Sequence, residues 1–323
     1  MNQPKVSVLI PTYNYGAFIG QAIKSVLAQT FSDYELIIVD NASTDDTERI
    51  VKQFSQDKRI TYHKNNTNIG LVANWNKCLD LANGKYVKFL CADDHFHPMI
   101  LEQFVAKMEE YPSVSLVACF RKVYGAVDKL LTIPLHHYQK GRDMIYSTIH
   151  SYHWLGEPSS TMFRKSDIEK IGQFNTAKYQ FLDLDLYFRL LTIGDCYIIP
   201  EELAFIYSHN GQVTTTNMSS YRFTFEDYEL FKDLRDGNGY SIDVSDMNID
   251  IAIRQKATMC AKAMYKMLPK LHQKESREIF KKAFKIASKE RVLLSPLINS
   301  LKNRITEYKN LIIIILLIIL AYL

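Results

Sequence analysis

The 323-residue sequence offers no basis for pairing its cysteines. Its five, Cys78, Cys91, Cys119, Cys196 and Cys260, are odd in number and scattered, and none sits in a CxxC or Cys/His cluster. A disulfide framework and a structural zinc site are both excluded on those spacings. Buried thiols in a reducing compartment are the expectation. No charged stretch leading into an apolar run precedes Val6, so the amino terminus is expected to stay cytoplasmic. There is no internal repeat, no low-complexity linker and no recognisable nucleic-acid-binding pattern, so nucleic acid is not an expected partner. The thirteen-residue run Leu311–Leu323 carries no charge, and twelve of its residues are aliphatic or Ala. As a helix it would reach about 20 Å at ~1.5 Å per residue, short of the ~30 Å hydrocarbon core.

What is present is an ordinary globular balance, 47% apolar and 23% charged, rich in packing surface with 20 Tyr and 17 Phe. The length suits one large α/β domain with an appendage. The net charge of +4 is unevenly spread. Residues 251–310 hold 15 Lys/Arg against 4 Asp/Glu, which leaves the preceding 250 residues net acidic. An acidic half that handles anions calls for a cation, and a basic half suits an anionic surface.

The first 120 residues alternate short apolar runs with helical spacings. Val6–Ile10, Glu35–Val39, Ile60–His63, Tyr86–Leu90 and Val114–Phe120 read as strands buried on both faces. Between them Phe18, Ala22 and Val26, then Ile50, Val51 and Phe54, then Leu71–Leu81, then a stretch from Pro98 to about Tyr111, carry helical spacing. Ser43 or Thr44 is the expected cap of the second helix. Such alternation predicts crossover units and a doubly wound, mainly parallel sheet, whose ligands bind at the carboxyl ends of the strands. That rule selects Pro11–Asn14, Asp40–Ser43 and Cys91–Asp94. From Tyr124 to Leu155 the pattern fades into an expected long excursion. Asp183–Leu191 reads as an amphipathic helix, and Tyr197–Pro200 and Leu203–Tyr207 as two short strands. After about Ser219 the sequence is persistently helical, with a break at Asn238–Tyr240.

Val6-Ser7-Val8-Leu9-Ile10-Pro11-Thr12-Tyr13-Asn14, then Ala28-Gln29-Thr30, then Ile38-Val39-Asp40-Asn41-Ala42-Ser43-Thr44-Asp45 closely resembles the opening of glycosyltransferase family 2. Asn68-Ile69-Gly70 and Cys91-Ala92-Asp93-Asp94 resemble its later motifs. The resemblance implies a GT-A-type α/β fold and an inverting transfer from a nucleotide-diphosphate sugar donor, with Mg²⁺ or Mn²⁺ as cofactor. It assigns nucleotide contacts to Pro11, Thr12, Tyr13, Asn14, Asp40, Gly70, Asn74 and Asp93. A carboxylate at Asp40 could accept from a pyrimidine imide, and Tyr13 offers a flat apolar face. Asp93 and Asp94 stand where the family holds its metal, with Cys91 in place of the more usual first Asp. His209, in Tyr207-Ser208-His209-Asn210, falls where a family histidine helps hold metal or phosphate. Carboxylate oxygens on a hard divalent ion would neutralise the charge that develops on a departing diphosphate.

Leu182-Asp183-Leu184-Asp185-Leu186-Tyr187-Phe188-Arg189 resembles the family's acidic motif, with Leu182 replacing its Glu. Asp183 then takes the catalytic base position, and Asp185, two residues on, is expected to pair with Arg189 at i+4. Glu157–Ser160 is expected on the acceptor side. The Gln-x-x-Arg-Trp motif of processive synthases is absent from the contexts of Trp75 and Trp154, which favours a single addition. Two other readings stand beside this one. A nucleotidyltransferase should carry a Gly-rich basic loop where Pro11–Tyr15 lies. An inactive membrane-bound scaffold draws on Cys91 and Leu182. The expected organisation is a catalytic domain over 1–237, with its nucleotide half at 1–120 and acceptor half at 121–237. A basic helical region follows over 238–310, then the apolar segment 311–323. A stripe of Leu297, Leu301, Ile305 and Tyr308 leads into that segment. Peripheral attachment to an anionic cytoplasmic membrane face is expected, with a saccharide or lipid-linked saccharide as acceptor.

Overall fold

The computed structural model describes residues 3–151, 154–209 and 220–299. Its first compact unit comprises the described residues up to 209 together with Gly237–Asp243. The unit is built on β1 (Val6–Thr12), β2 (Tyr34–Asp40), β3 (Ile60–Lys64), β4 (Tyr86–Phe89), β5 (His95–Phe96) and β6 (Val114–Gly125). β7 (Lys129–Leu131), β8 (Tyr138–Gln139), β9 (Thr161–Arg164) and β10 (Asp195–Ser208) complete the sheet. Its order is β3-β2-β1-β4-β9-β6-β10-β5, with β7 on β6 and β8 on β10. The β3-β2-β1-β4 half is parallel, as are β6 and β10, while β9 runs antiparallel between β4 and β6. This is the α/β, mainly parallel sheet that the apolar runs predict.

The helices follow from where apolar residues recur. α1 (Gly16–Leu27) buries Ile19, Ala22, Ile23 and Val26, one face at helical spacing. α2 (Thr47–Lys52), α3 (Leu71–Leu81) and α4 (Ile100–Glu110) fill the next three connections. α2 departs from the expected capping. Its N-cap is Asp46, which makes no side-chain cap bond, and Ser43 instead accepts from the Asn14 N–H at 2.8 Å. Asp45 satisfies the helix start, accepting from Thr47 N at 3.0 Å and from Gly16 N at 2.9 Å. One carboxylate thus ties the starts of two helices together. A Cβ at Gly16 would lie 2.9 Å from Thr47 N, so this approach needs glycine.

Three expectations in the second half of the sheet are corrected. The long excursion contains β7, β8 and a helix, α5 (Gly141–His150), which buries Met144, Ile145, Thr148 and Ile149. Tyr197–Pro200 and Leu203–Tyr207 are parts of one strand, β10, whose register shifts between Ile199 and Glu202. Pro200 has no N–H to give a ladder, so the irregularity falls there. α7 (Leu182–Leu191), preceded by α6 (Lys165–Ile171), is not amphipathic, because of its ten residues only Asp183 is not buried. A helix apolar nearly all round belongs to the interior.

The second compact unit contains residues 220–236 and 244–299. Its described residues form three α-helices, α8 (Arg222–Asp236), α9 (Ile249–Met267) and α10 (Lys274–Lys289). Ion pairs join them: Lys256–Asp227 at 2.7 Å, Arg235–Asp250 at 3.0 Å and Lys282–Glu229 at 2.9 Å. Lys256 also lies 4.0 Å from the Phe231 ring centroid, so part of the basic charge serves packing. Gly237–Asp243, which holds the expected Asn238–Tyr240 break, belongs to the first unit. Among the described residues no helix is long and apolar enough to cross a membrane. Segment 311–323 and Leu301, Ile305 and Tyr308 lie outside the described residues. All five cysteines are free, and Cys78, Cys119, Cys196 and Cys260 are buried.

Candidate active site

At the carboxyl ends of β1, β2 and β4 a cavity of about 820 Å³ opens, where the doubly wound architecture puts ligands. Pro11, Thr12, Tyr13 and Asn14 line it from the end of β1, and Gly70 and Asn74 from the start of α3. Asp93, Asp94, Asp183 and His209 line it as well, although 116 residues separate Asp93 from His209. Tyr13 is 42% exposed, which leaves its ring available to a flat ligand. The Thr12 hydroxyl is buried and has no hydrogen-bond partner among the described residues. An orphaned hydroxyl in a cavity wall calls for a ligand or water.

Asp40 is the exception among the expected nucleotide contacts. It does not line the cavity and is fully buried. Its Oδ1 accepts from Ser43 N at 2.8 Å and its Oδ2 from the Tyr62 hydroxyl at 2.6 Å. Burial and the Asp40 hydrogen bond both push the Tyr62 phenol up, so Tyr62 stays a neutral donor. Asp40 therefore holds the loop that follows β2 through one bond to each of its oxygens. Asn41, the next residue, lines the cavity. Its side chain joins an amide network: Asn41 Nδ2 donates to Asn68 Oδ1 at 2.8 Å and Asn41 Oδ1 accepts from Ile69 N at 2.8 Å. Asn65 donates to Asn74 Oδ1 at 2.8 Å, and Asn74 Nδ2 donates to the Val39 carbonyl at 3.0 Å. These bonds pin the 65–70 loop to the end of β2. Gly70 turns the loop into α3 at φ 87, a value that suits glycine.

The acidic pair sits in a turn closed by Asp94 N donating to the Cys91 carbonyl at 3.0 Å. Cys91 Sγ and one oxygen each of Asp93 and Asp94 lie within 4.8 Å of one another. Asp93 Oδ2 is 3.1 Å from His209 Nε2. The imidazole packs on Phe18 and Tyr207 at centroid distances of 5.0 and 5.3 Å, which fixes its orientation. Asp94 accepts from Ser159 Oγ at 2.6 Å and from Tyr207 N at 3.0 Å. Burial, then the charge of Asp93, push the Asp94 carboxyl well above the usual range, against the pull of those two donors. Burial and the same acids push the Cys91 thiol up, and burial followed by Asp93 does so for Tyr15. Two close carboxylates that resist ionising together are a site that a divalent cation would stabilise. The oxygen-rich donor set of Asp93 and Asp94, with His209 beside it, fits Mg²⁺ or Mn²⁺, and the Cys91 sulfur adds a softer donor.

Beneath this pair lies a group the sequence reading passed over. Lys88, mid-strand in β4, is fully buried. Its Nζ donates to the Ser159 carbonyl at 2.6 Å and lies 4.4 Å from the Phe96 ring centroid. Burial pulls its ammonium down to about 7, against the attraction of Cys119, Cys91 and Asp94. Of the expected acceptor-side stretch, Glu157 and Pro158 line the cavity, while Ser159 and Ser160 do not and are wholly buried. Asn68, Tyr179 and Gln180 line the cavity too, and Tyr15, Phe18 and Trp75 do so without having been foreseen. Trp75, four residues after Leu71, shares its helical face, a spacing that could have flagged it.

On the far wall, Asp183 is the one residue of α7 turned from the interior, and its Oδ1 accepts from Leu184 N at 2.7 Å. Asp185 does pair with Arg189 at 2.7 Å, as its spacing predicts. Arg189 also donates to the carbonyls of Ile171, Gly172 and Gln173, and Tyr240 donates to Asp185 at 2.6 Å. Asp185 is thereby committed to anchoring α7. Glu157, the other carboxylate on this side, sits 2.6 Å from Arg121 Nε. Asp183 is the acid of α7 that lines the cavity.

The sequence profile described as glycosyl transferase family 2 matches residues 7–172. WcaA of Escherichia coli, named for colanic acid biosynthesis, is 27% identical over 246 residues, which cover 72% of this chain and 83% of that protein. Other relatives match over shorter stretches, this chain spanning 18 to 42% of their length. Staphylococcus aureus TarS 1–349, solved with UDP, superposes with a TM-score of 0.59 at 18% identity, covering 91% of this chain and 92% of that one. The mannosyltransferase PcManGT of Pyrobaculum calidifontis, solved with GDP-Man and Mn²⁺, gives 0.56 at 17% identity, covering 91% and 88%. At those identities the two structures establish the shared fold.

Proposed function

The chain belongs to glycosyl transferase family 2 and is by that membership a nucleotide-sugar glycosyltransferase, and we propose that it performs a single, inverting, metal-assisted transfer to an acceptor hydroxyl. The observation that carries this reading is the convergence of three chemistries on one cavity. The Pro11–Asn14 and Asn68–Asn74 loops suit a nucleoside, the acids Asp93 and Asp94 with His209 suit a cation and diphosphate, and Asp183 suits a base. Tyr13 would cover the base, and the orphaned Thr12 hydroxyl would bond the nucleoside. Asp93, Asp94 and His209 would hold Mg²⁺ or Mn²⁺, which when bound offsets the charge on the departing diphosphate. Asp183 would take the proton of the acceptor hydroxyl as its oxygen attacks the anomeric carbon. One displacement inverts that centre.

The relatives' names point to a cell-surface glycan as the product class: WcaA is named for colanic acid biosynthesis. UDP in TarS and GDP-Man in PcManGT make UDP and GDP the first probes. Of the two tryptophans, Trp75 lines the cavity and Trp154 does not. UDP or GDP should therefore change Trp75 fluorescence in the presence of Mn²⁺, and chelator should weaken that binding about 10-fold or more. Trp75→Phe should erase the signal and Trp154→Phe should keep it. Binding of neither nucleotide would favour the inactive scaffold. Binding indifferent to chelator would remove the metal from the mechanism.

The basic helices support placement at an anionic lipid surface. On α10, Arg277, Lys281, Phe284, Lys285 and Ser288 share one exposed face, with Phe284 47% exposed among the basic residues. Leu294, Leu297 and Ile298 are exposed just beyond it. An exposed basic helix face followed by exposed apolar residues suits the interfacial zone of an anionic leaflet. The full chain should sediment with vesicles containing phosphatidylglycerol. Lys281→Glu with Lys285→Glu should weaken that binding about 10-fold or more, since each cation near the surface contributes about 1 kcal/mol. Equal sedimentation with neutral phosphatidylcholine vesicles would defeat the electrostatic part of this proposal.

A further inference from the structure

Asp94, the most deeply buried acid of the cavity, depends on Ser159 for its position. The 3₁₀ turn Pro158–Ser160 runs under the Cys91–Asp94 turn, and Ser159 is wholly excluded from solvent. Its hydroxyl makes two bonds, donating to Asp94 Oδ2 at 2.6 Å and accepting from Cys91 N at 3.0 Å. Both ends of the metal-binding turn are thus tied to one oxygen. The turn carrying that oxygen is itself held from below, where Lys88 Nζ donates to the Ser159 carbonyl at 2.6 Å. Lys88 reaches that carbonyl from the middle of β4, a parallel strand locked between β1 and β9. Placing an ammonium among Phe96, Phe104 and apolar strands is costly unless its bonds accomplish something.

We propose that Ser159, anchored by Lys88, is a positioning residue that presets Asp94 and the Cys91 backbone for the cation, one layer beneath the cavity. Neither residue lines the cavity, so both act through Asp94. Outer partners of this kind orient a ligating carboxylate and change metal affinity when removed. The inference rests on the metal reading above.

Mn²⁺ alone, titrated into the full-length protein and followed by electron paramagnetic resonance, separates the two claims. Wild type should bind it, Ser159→Ala should bind about 10-fold more weakly, and Ser159→Thr, which restores the hydroxyl, should recover most of the affinity. Ser160→Ala is the control for general damage to the turn. The Ser160 hydroxyl is equally buried but bonds only the Leu155 and Glu157 carbonyls, so its loss should leave Mn²⁺ affinity unchanged. Lys88→Met should weaken Mn²⁺ as well. Tighter binding there would mean that Lys88 acts only as a repelling charge, which overturns its anchoring role. Wild type that fails to bind Mn²⁺ sinks the metal reading itself. Wild-type affinity in a folded Ser159→Ala, or an equal loss in Ser160→Ala, sinks the positioning role alone.

Discussion

Asp183→Asn should lower kcat about 10³-fold while the affinity for a nucleotide probe stays within about two-fold of wild type. The substitution is close to isosteric. Asn can still accept the Leu184 N–H bond that Asp183 makes at 2.7 Å, so the start of α7 should be unchanged. What disappears is basicity. A loss of that size corresponds to about 4 kcal/mol of transition-state stabilisation, the scale of one positioned proton acceptor. Glu157 is the rival carboxylate, and Glu157→Gln discriminates between them. With Arg121 Nε at 2.6 Å, Glu157 is engaged by a guanidinium. Its neutralisation should disturb the Arg121 contact and cost far less turnover than Asp183→Asn. A reversal of that order, with Asp183→Asn nearly active and Glu157→Gln dead, would move the base to Glu157. Asp185→Asn belongs to another class. Its carboxylate meets Arg189 and Tyr240 in the interior, so its effect should fall on stability.

The parallel half of the sheet was readable because strands covered on both faces read as nearly continuous apolar runs. Val6–Ile10 and Glu35–Val39 carry that signature, and β1 and β2 follow them to within a few residues. α5 escaped because its buried face includes Gly141 and Thr148, which dilute the apolar spacing of Met144, Ile145 and Ile149. The near-total burial of α7 depends on what packs around it, which its own alternating Leu-Asp-Leu-Asp spacing cannot convey. Residue type and strand-end position were enough to place the Pro11–Asn14 loop and the acid pair at the cavity, while Asp183, at a helix start, was picked out by its resemblance to the family's acidic motif. Neither cue shows that Tyr62, 22 residues on, donates to Asp40 and that Asp40 stands behind the cavity wall. Ser159 meets Asp94 across 65 positions, a contact no local pattern encodes. Lys88 did leave a trace, a charge in the middle of an apolar run, which in a strand buried on both faces signals a specific partner.

Neutralising the acid pair, Asp93→Asn with Asp94→Asn, should cut Mn²⁺-linked UDP or GDP binding about 10²-fold or more, since a cation on a diphosphate contributes several kcal/mol. The same variant should be at least as stable as wild type at neutral pH, which distinguishes a lost site from a damaged fold. The sign follows from burial. The Asp94 carboxyl is pushed above its ordinary value in the folded chain, first by desolvation and then by Asp93. A carboxyl raised in this way holds its proton more tightly folded than unfolded. Its protonation therefore supports folding below the ordinary carboxylate pKa, and that support drains away as pH rises toward the elevated folded value. At neutral pH the metal-free wild type bears the cost of a strained acid pair, and the asparagines do not. Thermal melts in chelator should show wild-type stability declining as pH climbs out of the ordinary carboxylate range, with a flatter profile in the variant. Adding Mn²⁺ should then raise the wild-type Tm and leave the variant's unmoved. A variant that loses nucleotide binding together with several degrees of Tm in chelator would show that Asp93 and Asp94 brace the turn. Equal Mn²⁺ shifts in both proteins would place the cation elsewhere.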